Sequence, residues 1–189
     1  MSNPRLPPGQ HTTIGWPRLD LGIVPRFDPK TWTLRVDGEV ETPTTLTWEQ
    51  FLALPKVELT ADFHCVTAWS RLDNRWEGVG FHTIVDLVHP KPAAKHVVFT
   101  CGDAGYTTNL PLDVLMDDDV VLAYRHDGKP LALDHGGPMR LVVPKRYGWK
   151  SAKWLRQVTF VEQDEPGYWE VRGYSNTADP WKDDRYSFS

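Results

Sequence analysis

The stretch DFHCVTAWS, residues 62–70, holds Cys65, and Cys101 is the only other cysteine among 189 residues. A thiol in the company of His64, Thr67, Trp69, Ser70 and Arg71 has four possible roles: inert core group, half of a disulfide, nucleophile or metal ligand. Structural zinc usually takes four ligands, often paired along the chain, whereas here His64–Cys65 stands alone with Cys101 far away. Seven histidines could supply a base for a nucleophile, yet no local signature marks one. A disulfide fits poorly with an opening, MSNPRLPPGQHTTIGWPRLDLG, that shows neither an apolar signal core nor a twin arginine. Free cysteine is often buried and inert, but the polar neighbours of Cys65 are not core filler. On local chemistry the choice between an inert thiol and a reactive or metal-bound sulfur stays open.

A second centre of chemistry lies further along. Between Arg140 and Arg156 the chain carries Arg140, Lys145, Arg146, Lys150, Lys153 and Arg156 with no Asp or Glu, although its formal net charge is −4. Such a run is either a solvated basic face or an anion site, most simply for a phosphate. Two neighbouring segments favour the anion site. DHGGP (134–138) has two glycines where backbone can approach a ligand, and YGWKSAKW (147–154) mixes cations, small residues and aromatic planes. Neither the Walker A pattern nor G-x-G-x-x-G is present, so the anion is not a nucleotide held in either of those ways.

Elements must bring these centres together. Residues 1–30, rich in Pro, Gly and Arg, read as an extended arm that wraps the domain or lies over a site, and 31–189 as a single domain. Strands are expected over 31–40, with Asp37-Gly38 as a turn, over 57–66, 95–101, 139–144 and 153–163, and as a hairpin over 120–133 turning at Asp127-Gly128. Short helices are expected over 45–55, where Thr47 and Gln50 make a capping box, over 82–88, and after Pro111 as first helical residue. The segment SRLDNRWEGVG (70–80) reads as irregular. Nine Trp and sixteen Pro suit short elements and aromatic pocket walls. The sum is an α+β fold of short, mixed strands with a few short helices.

Composition excludes several classes. No run of about 18 apolar residues is available for membrane insertion. The acidic balance gives no general support to a nucleic-acid partner. The expected location is cytoplasmic. Haem-attachment and iron–sulfur cysteine spacings are missing, so a redox role needs a separate electron-transfer protein or small redox carrier.

DFHCVTAWS, followed by WEGVGF, GYTTNLPL, HGGPMRLVVPKRYGWKSAKW and PGYWEVRGYSNTADPW, resembles the sulfite oxidase-like molybdopterin-dependent oxidoreductases over residues 10–186. The similarity is to the short bacterial and archaeal members that consist of the molybdenum domain alone. It implies the sulfite oxidase molybdopterin-binding fold, with molybdenum and molybdopterin as cofactors and Cys65 as the metal-ligating thiolate. By similarity to the catalytic subunit of periplasmic methionine sulfoxide reductase, cofactor contacts fall on Thr100, His135, Arg140, Ser151, Ala152 and Lys153, with Trp16, Leu19 and Asp20 on the arm. His135 stands where that protein has Asn. Arg140 and Lys153 would neutralise the pterin phosphate, while Arg71 and Tyr106 would face the substrate, with Arg75 as a further candidate. The implied chemistry is two-electron oxygen-atom transfer to or from a small sulfur or nitrogen oxo compound. A molybdopterin- or anion-binding module without turnover is the alternative. The resemblance also implies that the immunoglobulin-like dimerisation domain of longer relatives is not part of this chain.

Overall fold

The computed structural model describes residues 3–188. In chain order its first elements are strands β1 (His11–Thr12), β2 (Thr33–Gly38) and β3 (Thr44–Thr47), helix α1 (Trp48–Leu52), strands β4 (Lys56–His64) and β5 (Trp69–Gly80), and helix α2 (Phe81–Val88). Then come β6 (His96–Cys101), β7 (Thr107–Pro111), helix α3 (Leu112–Leu115), β8 (Val121–His126), β9 (Lys129–Pro130), β10 (Arg140–Val142) and β11 (Leu155–Val161). One sheet runs β1-β5-β8-β10, with β4 on the other edge of β5 and β9 beside β8; the second runs β3-β2-β11-β6-β7. This is a sheet-dominated α+β architecture.

Local rules account for most elements. In β2, Leu34 and Val36 are buried and Thr33 and Arg35 exposed, the alternation of a half-buried strand. The capping box forms: Thr47 Oγ1 accepts from the Gln50 amide at 3.2 Å, and Gln50 Oε1 accepts from the Thr47 amide at 2.9 Å. That cap opens a helix shorter than expected, because Thr44–Thr47 pairs with β2 as strand β3. Pro111 precedes α3 as its N-cap rather than sitting at its first position. The β8–β9 hairpin turns at Asp127 and Gly128, both with positive φ, as a two-residue turn of this twist requires.

The segment expected to be irregular is instead β5, the centre of the first sheet. Its polar residues gave no strand signal, but its backbone pairs with β4 along one edge and with β1 and then β8 along the other. The buried amide of Asn74 is satisfied. Asn74 Nδ2 donates to Ala61 O at 3.2 Å and to Arg71 O at 2.7 Å.

Two apolar clusters result. The larger includes Leu34, Phe51, Phe81, Phe99, Leu110 and Phe160 and packs the second sheet against the helices. The smaller holds Phe63, Cys65, Trp69, Trp76, Leu131 and Val142, with Trp16 of the arm packed against it. Each fully buried large side chain of this kind contributes about 1.5–3 kcal/mol. Cys65 therefore belongs to the smaller core, in the turn between β4 and β5. No helix among the described residues is long and apolar enough to cross a membrane.

Candidate active site

A cavity of about 350 Å³ opens where the β4–β5 turn, the loop after β6, the segment before β10, the 148–153 loop and the arm meet. That volume suits a small organic ligand. Cys65 is 7% exposed and lines it, with its Sγ 3.1 Å from Thr67 Oγ1. Among the described residues no three His, Cys, Asp or Glu side chains gather into a metal cage.

The basic run divides in space. Arg140 and Lys153 line the cavity; Lys145 instead pairs with Asp117 at 2.8 Å, and Lys150 is wholly buried against Glu170 at 2.6 Å. Arg146 donates to Lys145 O, and the Arg156 guanidinium lies 5.9 Å from the Trp32 ring. The expected six-cation patch is thus two cavity cations, joined by Arg18 from the arm. Sequence proximity could not show this, because successive residues of a loop and strand point in different directions.

Arg140 is held tightly. It donates to His135 O at 2.9 Å, to Ser151 O at 2.6 Å and more weakly to Leu141 O, leaving part of its five-donor guanidinium for a ligand. Burial lowers its pKa to about 10. Lys153 falls to about 8, through burial first and the neighbouring Arg140 charge second. Its ammonium donates to Leu19 O at 2.6 Å, and the Asp20 carboxylate, itself 2.9 Å from Arg18 Nε, stands 4.0 Å away. Two adjacent desolvated cations with so little acidic compensation favour an anionic ligand.

Trp16 forms the arm's anchor. Its ring stacks on His135 at 3.9 Å and 6°, and Trp76 meets it edge-on at 5.6 Å. Burial lowers the pKa of His135, favouring the neutral ring in that stack. Leu19 and Asp20 follow Trp16 along the cavity, as do Ser151 and Ala152 from the 148–153 loop. Tyr106 also lines it, but its hydroxyl donates to Trp149 O at 2.6 Å. Burial and the nearby Glu170 push that phenol well above its ordinary range, so it stays protonated with its hydroxyl engaged by Trp149 O.

Two expected site residues lie elsewhere. Thr100 is in β6, where Val97, Phe99 and Cys101 point into the core and Thr100 takes the other face, in register with Thr107 and Gln157. Arg71 is not on the cavity wall: it pairs with Asp127 at 2.6 Å, donates to Asn74 and lies 3.0 Å from His126 Nε2. Arg75 sits further along β5, its amide donating to Asp127 at 3.0 Å. The two glycines of DHGGP also serve the fold rather than a ligand. A Cβ on Gly136, with φ of +106°, would meet the Lys153 side chain at 2.9 Å, and one on Gly137 would meet Leu131 O at 2.3 Å.

Asp103 is the main residue that sequence reasoning missed. It lies in the Gly102–Gly105 turn after β6, lines the cavity, and its Oδ1 is buried with no hydrogen-bond partner. Burial raises its pKa to about 6. A carboxylate in a Gly-flanked turn at a strand end was the available signal. Trp69, Trp149, Trp169 and Tyr174 complete an aromatic wall.

The cavity fits a phosphorylated pterin. The unsatisfied Asp103 oxygen can accept from a pterin N–H, Arg140 and Lys153 suit the phosphate, and Cys65 is a soft sulfur donor for a sulfur-ligated metal.

The family described as oxidoreductase molybdopterin binding domain matches residues 21–169. The oxidoreductase YuiH of Bacillus subtilis is 44% identical over 185 residues, which span 97% of this chain and 93% of that one. The protein-methionine-sulfoxide reductase catalytic subunit MsrP of Campylobacter jejuni is 30% identical over 169 residues, 81% of this chain but 57% of its own. Among solved structures, the sulfane dehydrogenase SoxCD from Paracoccus pantotrophus superimposes with a TM-score of 0.67 at 26% identity, over 74% of this chain and 40% of that one.

Proposed function

The chain belongs to the family of molybdopterin-binding oxidoreductase domains, and from that premise we propose that Cys65 ligates molybdenum and that the site transfers an oxygen atom to or from a small sulfur or nitrogen oxo compound. The fold is sulfite oxidase-like, the protein is an oxidoreductase, and molybdopterin with its molybdenum is the cofactor. One observation carries the finer reading: the Cys65 thiol shares a cavity with the cation pair Arg140 and Lys153. That couples a soft metal donor to a phosphate site. It also supports a ligand over an inert thiol, since an inert thiol needs no such partner.

When bound, the cofactor supplies the two-electron redox chemistry of oxygen-atom exchange. The chain's own residues bind and orient. Arg140 and Lys153 hold the phosphate, Asp103 accepts from pterin N–H groups, and His135, Ser151, Ala152 and the Trp16–Asp20 segment enclose the ring system. Thr67 Oγ1, 3.1 Å from Cys65 Sγ, donates to the sulfur once it is a thiolate. Trp69, Trp149, Trp169 and Tyr174 exclude water around the reacting atoms.

The names of two relatives, a methionine-sulfoxide reductase and a sulfane dehydrogenase, both denote sulfur substrates and support a sulfur oxo compound here. Electrons pass to or from a separate electron-transfer protein or small redox carrier. The test is metal analysis of protein made in a molybdopterin-competent host, with Cys65→Ser beside it, followed by a sulfoxide, N-oxide and sulfite panel. The expected result is near-stoichiometric molybdenum lost in the variant, with turnover of at least one substrate class. Equal molybdenum in both proteins would sink the ligand assignment, and loaded protein inert in both redox directions would favour a binding module.

A further inference from the structure

The turn that presents Cys65 spans four residues, and its backbone oxygens are captured from outside. Cys65 N donates to Trp69 O at 2.9 Å, and Ala68 N to Cys65 O at 3.1 Å, which closes the turn. Ala68 takes a φ of 74°, a region that side-chain-bearing residues seldom occupy, so its surroundings must hold it there. Three contacts do so. Gln10 Nε2 donates to Cys65 O at 3.0 Å, the His11 amide to Ala68 O at 2.9 Å, and the Arg185 guanidinium to Val66 O.

Gln10 differs from the other two because it grips both flanks of the cysteine. Its Nε2 holds the Cys65 carbonyl while its Oε1 accepts from Ser70 Oγ at 3.1 Å. Ser70 Oγ in turn lies 2.7 Å from Nδ1 of the buried His64, the residue before Cys65. A primary amide is suited to this place, since one group must donate to a carbonyl and accept from a hydroxyl. Rotation of the 65–66 peptide plane would swing the Cys65 Cα–Cβ bond with it. Gln10 is half-buried and sits immediately before β1, whose pairing with Trp69 and Ser70 fixes its reach.

We infer that Gln10 is a positioning residue for the thiolate: the arm is part of the active-site machinery, and through the Cys65 carbonyl it sets the direction in which Sγ meets the metal. The inference rests on the reading of Cys65 as the ligand. Arg5 provides an internal control, because it anchors the same arm to Asp62 and Asp73 without touching the turn.

The experiment compares Gln10→Glu, Gln10→Met and Arg5→Gln with the unaltered protein. Gln10→Glu keeps the acceptor for Ser70 and deletes the donor to Cys65 O. Two readouts are taken: the Mo(V) electron paramagnetic resonance spectrum of loaded protein, and the rate at which iodoacetamide labels Cys65 in cofactor-free protein, followed by peptide mass spectrometry. Both Gln10 variants should shift the Mo(V) g-values and speed labelling roughly 2- to 12-fold, the factor for loss of one net hydrogen bond. Arg5→Gln should match the unaltered protein in both. Unchanged spectra and labelling in the Gln10 variants would overturn the inference, as would equal changes in Arg5→Gln. If a Gln10 variant fails to retain molybdenum, labelling of the cofactor-free protein decides alone. Failure of the ligand reading shows separately, as molybdenum retained in Cys65→Ser.

Discussion

Glu170→Gln should destabilise this protein more than an ordinary polar substitution, because it leaves Lys150 buried without its counter-charge. The two side chains are 0% and 1% exposed, with Lys150 Nζ 2.6 Å from Glu170 Oε1. That same oxygen accepts from Thr108 Oγ1 at 2.8 Å and Trp149 Nε1 at 3.0 Å, and Lys150 also donates to Asn109 O at 2.8 Å. Removing one partner of such a pair costs about 3–5 kcal/mol. For a chain of this length each kcal/mol moves Tm by about 2–4 °C, so the expected fall is roughly 6–20 °C. Burial already lowers the Lys150 pKa, and Glu170 is the largest opposing influence. In the variant the lysine's folded pKa drops further below its unfolded value. The unfolded state then binds more protons between the two, so the variant regains stability as pH rises through the folded pKa. Urea unfolding of the cofactor-free protein at pH 7 and 9 measures both effects. Lys150→Met combined with Glu170→Leu should recover most of the loss, since no charge stays buried. A Glu170→Gln protein within about 1 kcal/mol of the unaltered one, or a double variant worse than the single, would refute the reasoning.

Asp103→Asn should stabilise the cofactor-free fold at pH 7 while weakening pterin retention. The folded pKa of Asp103 is raised to about 6, so its contribution is lost as pH rises through that value, and the amide avoids a penalty of about 1–2 kcal/mol after solvent screening; thermal melts and molybdopterin content at one pH check both signs. Lys153 has a folded pKa of about 8, so pterin binding to cofactor-free protein should weaken above pH 8 as the ammonium is lost, and a flat profile from pH 7 to 9.5 would count against its phosphate role. Gly148→Ala puts a Cβ 2.6 Å from the Phe63 ring and should cost about 1–3 kcal/mol by overpacking the cavity wall, read by urea unfolding and molybdenum content. Arg71→Gln, which breaks a partly buried pair with Asp127 and a hydrogen bond to the buried Asn74, should cost about 1–3 kcal/mol and leave molybdenum content unchanged.

Local physics made several elements legible in the sequence. The Thr47–Gln50 capping box, the Asp127-Gly128 hairpin and the apolar face of α2 depend on residues a few positions apart, so their chemistry is complete within the window being read. β5 was not legible, because its stability comes from pairing on both edges with strands distant in the chain rather than from its own polar composition. The same distinction governs the site. From its residues the sequence determined an isolated thiol, a cationic run and an arm able to lie over a site, and its motifs identified the kind of cofactor. Only the tertiary structure decided which cations face the cavity, turning Lys150 into the core and Arg71 toward Asp127, and it put Asp103 rather than Thr100 on the wall. Charge and residue type are properties of the sequence, but direction and desolvation belong to the packed chain, and these decide that Arg140 and Lys153 of the basic stretch share a cavity with Cys65.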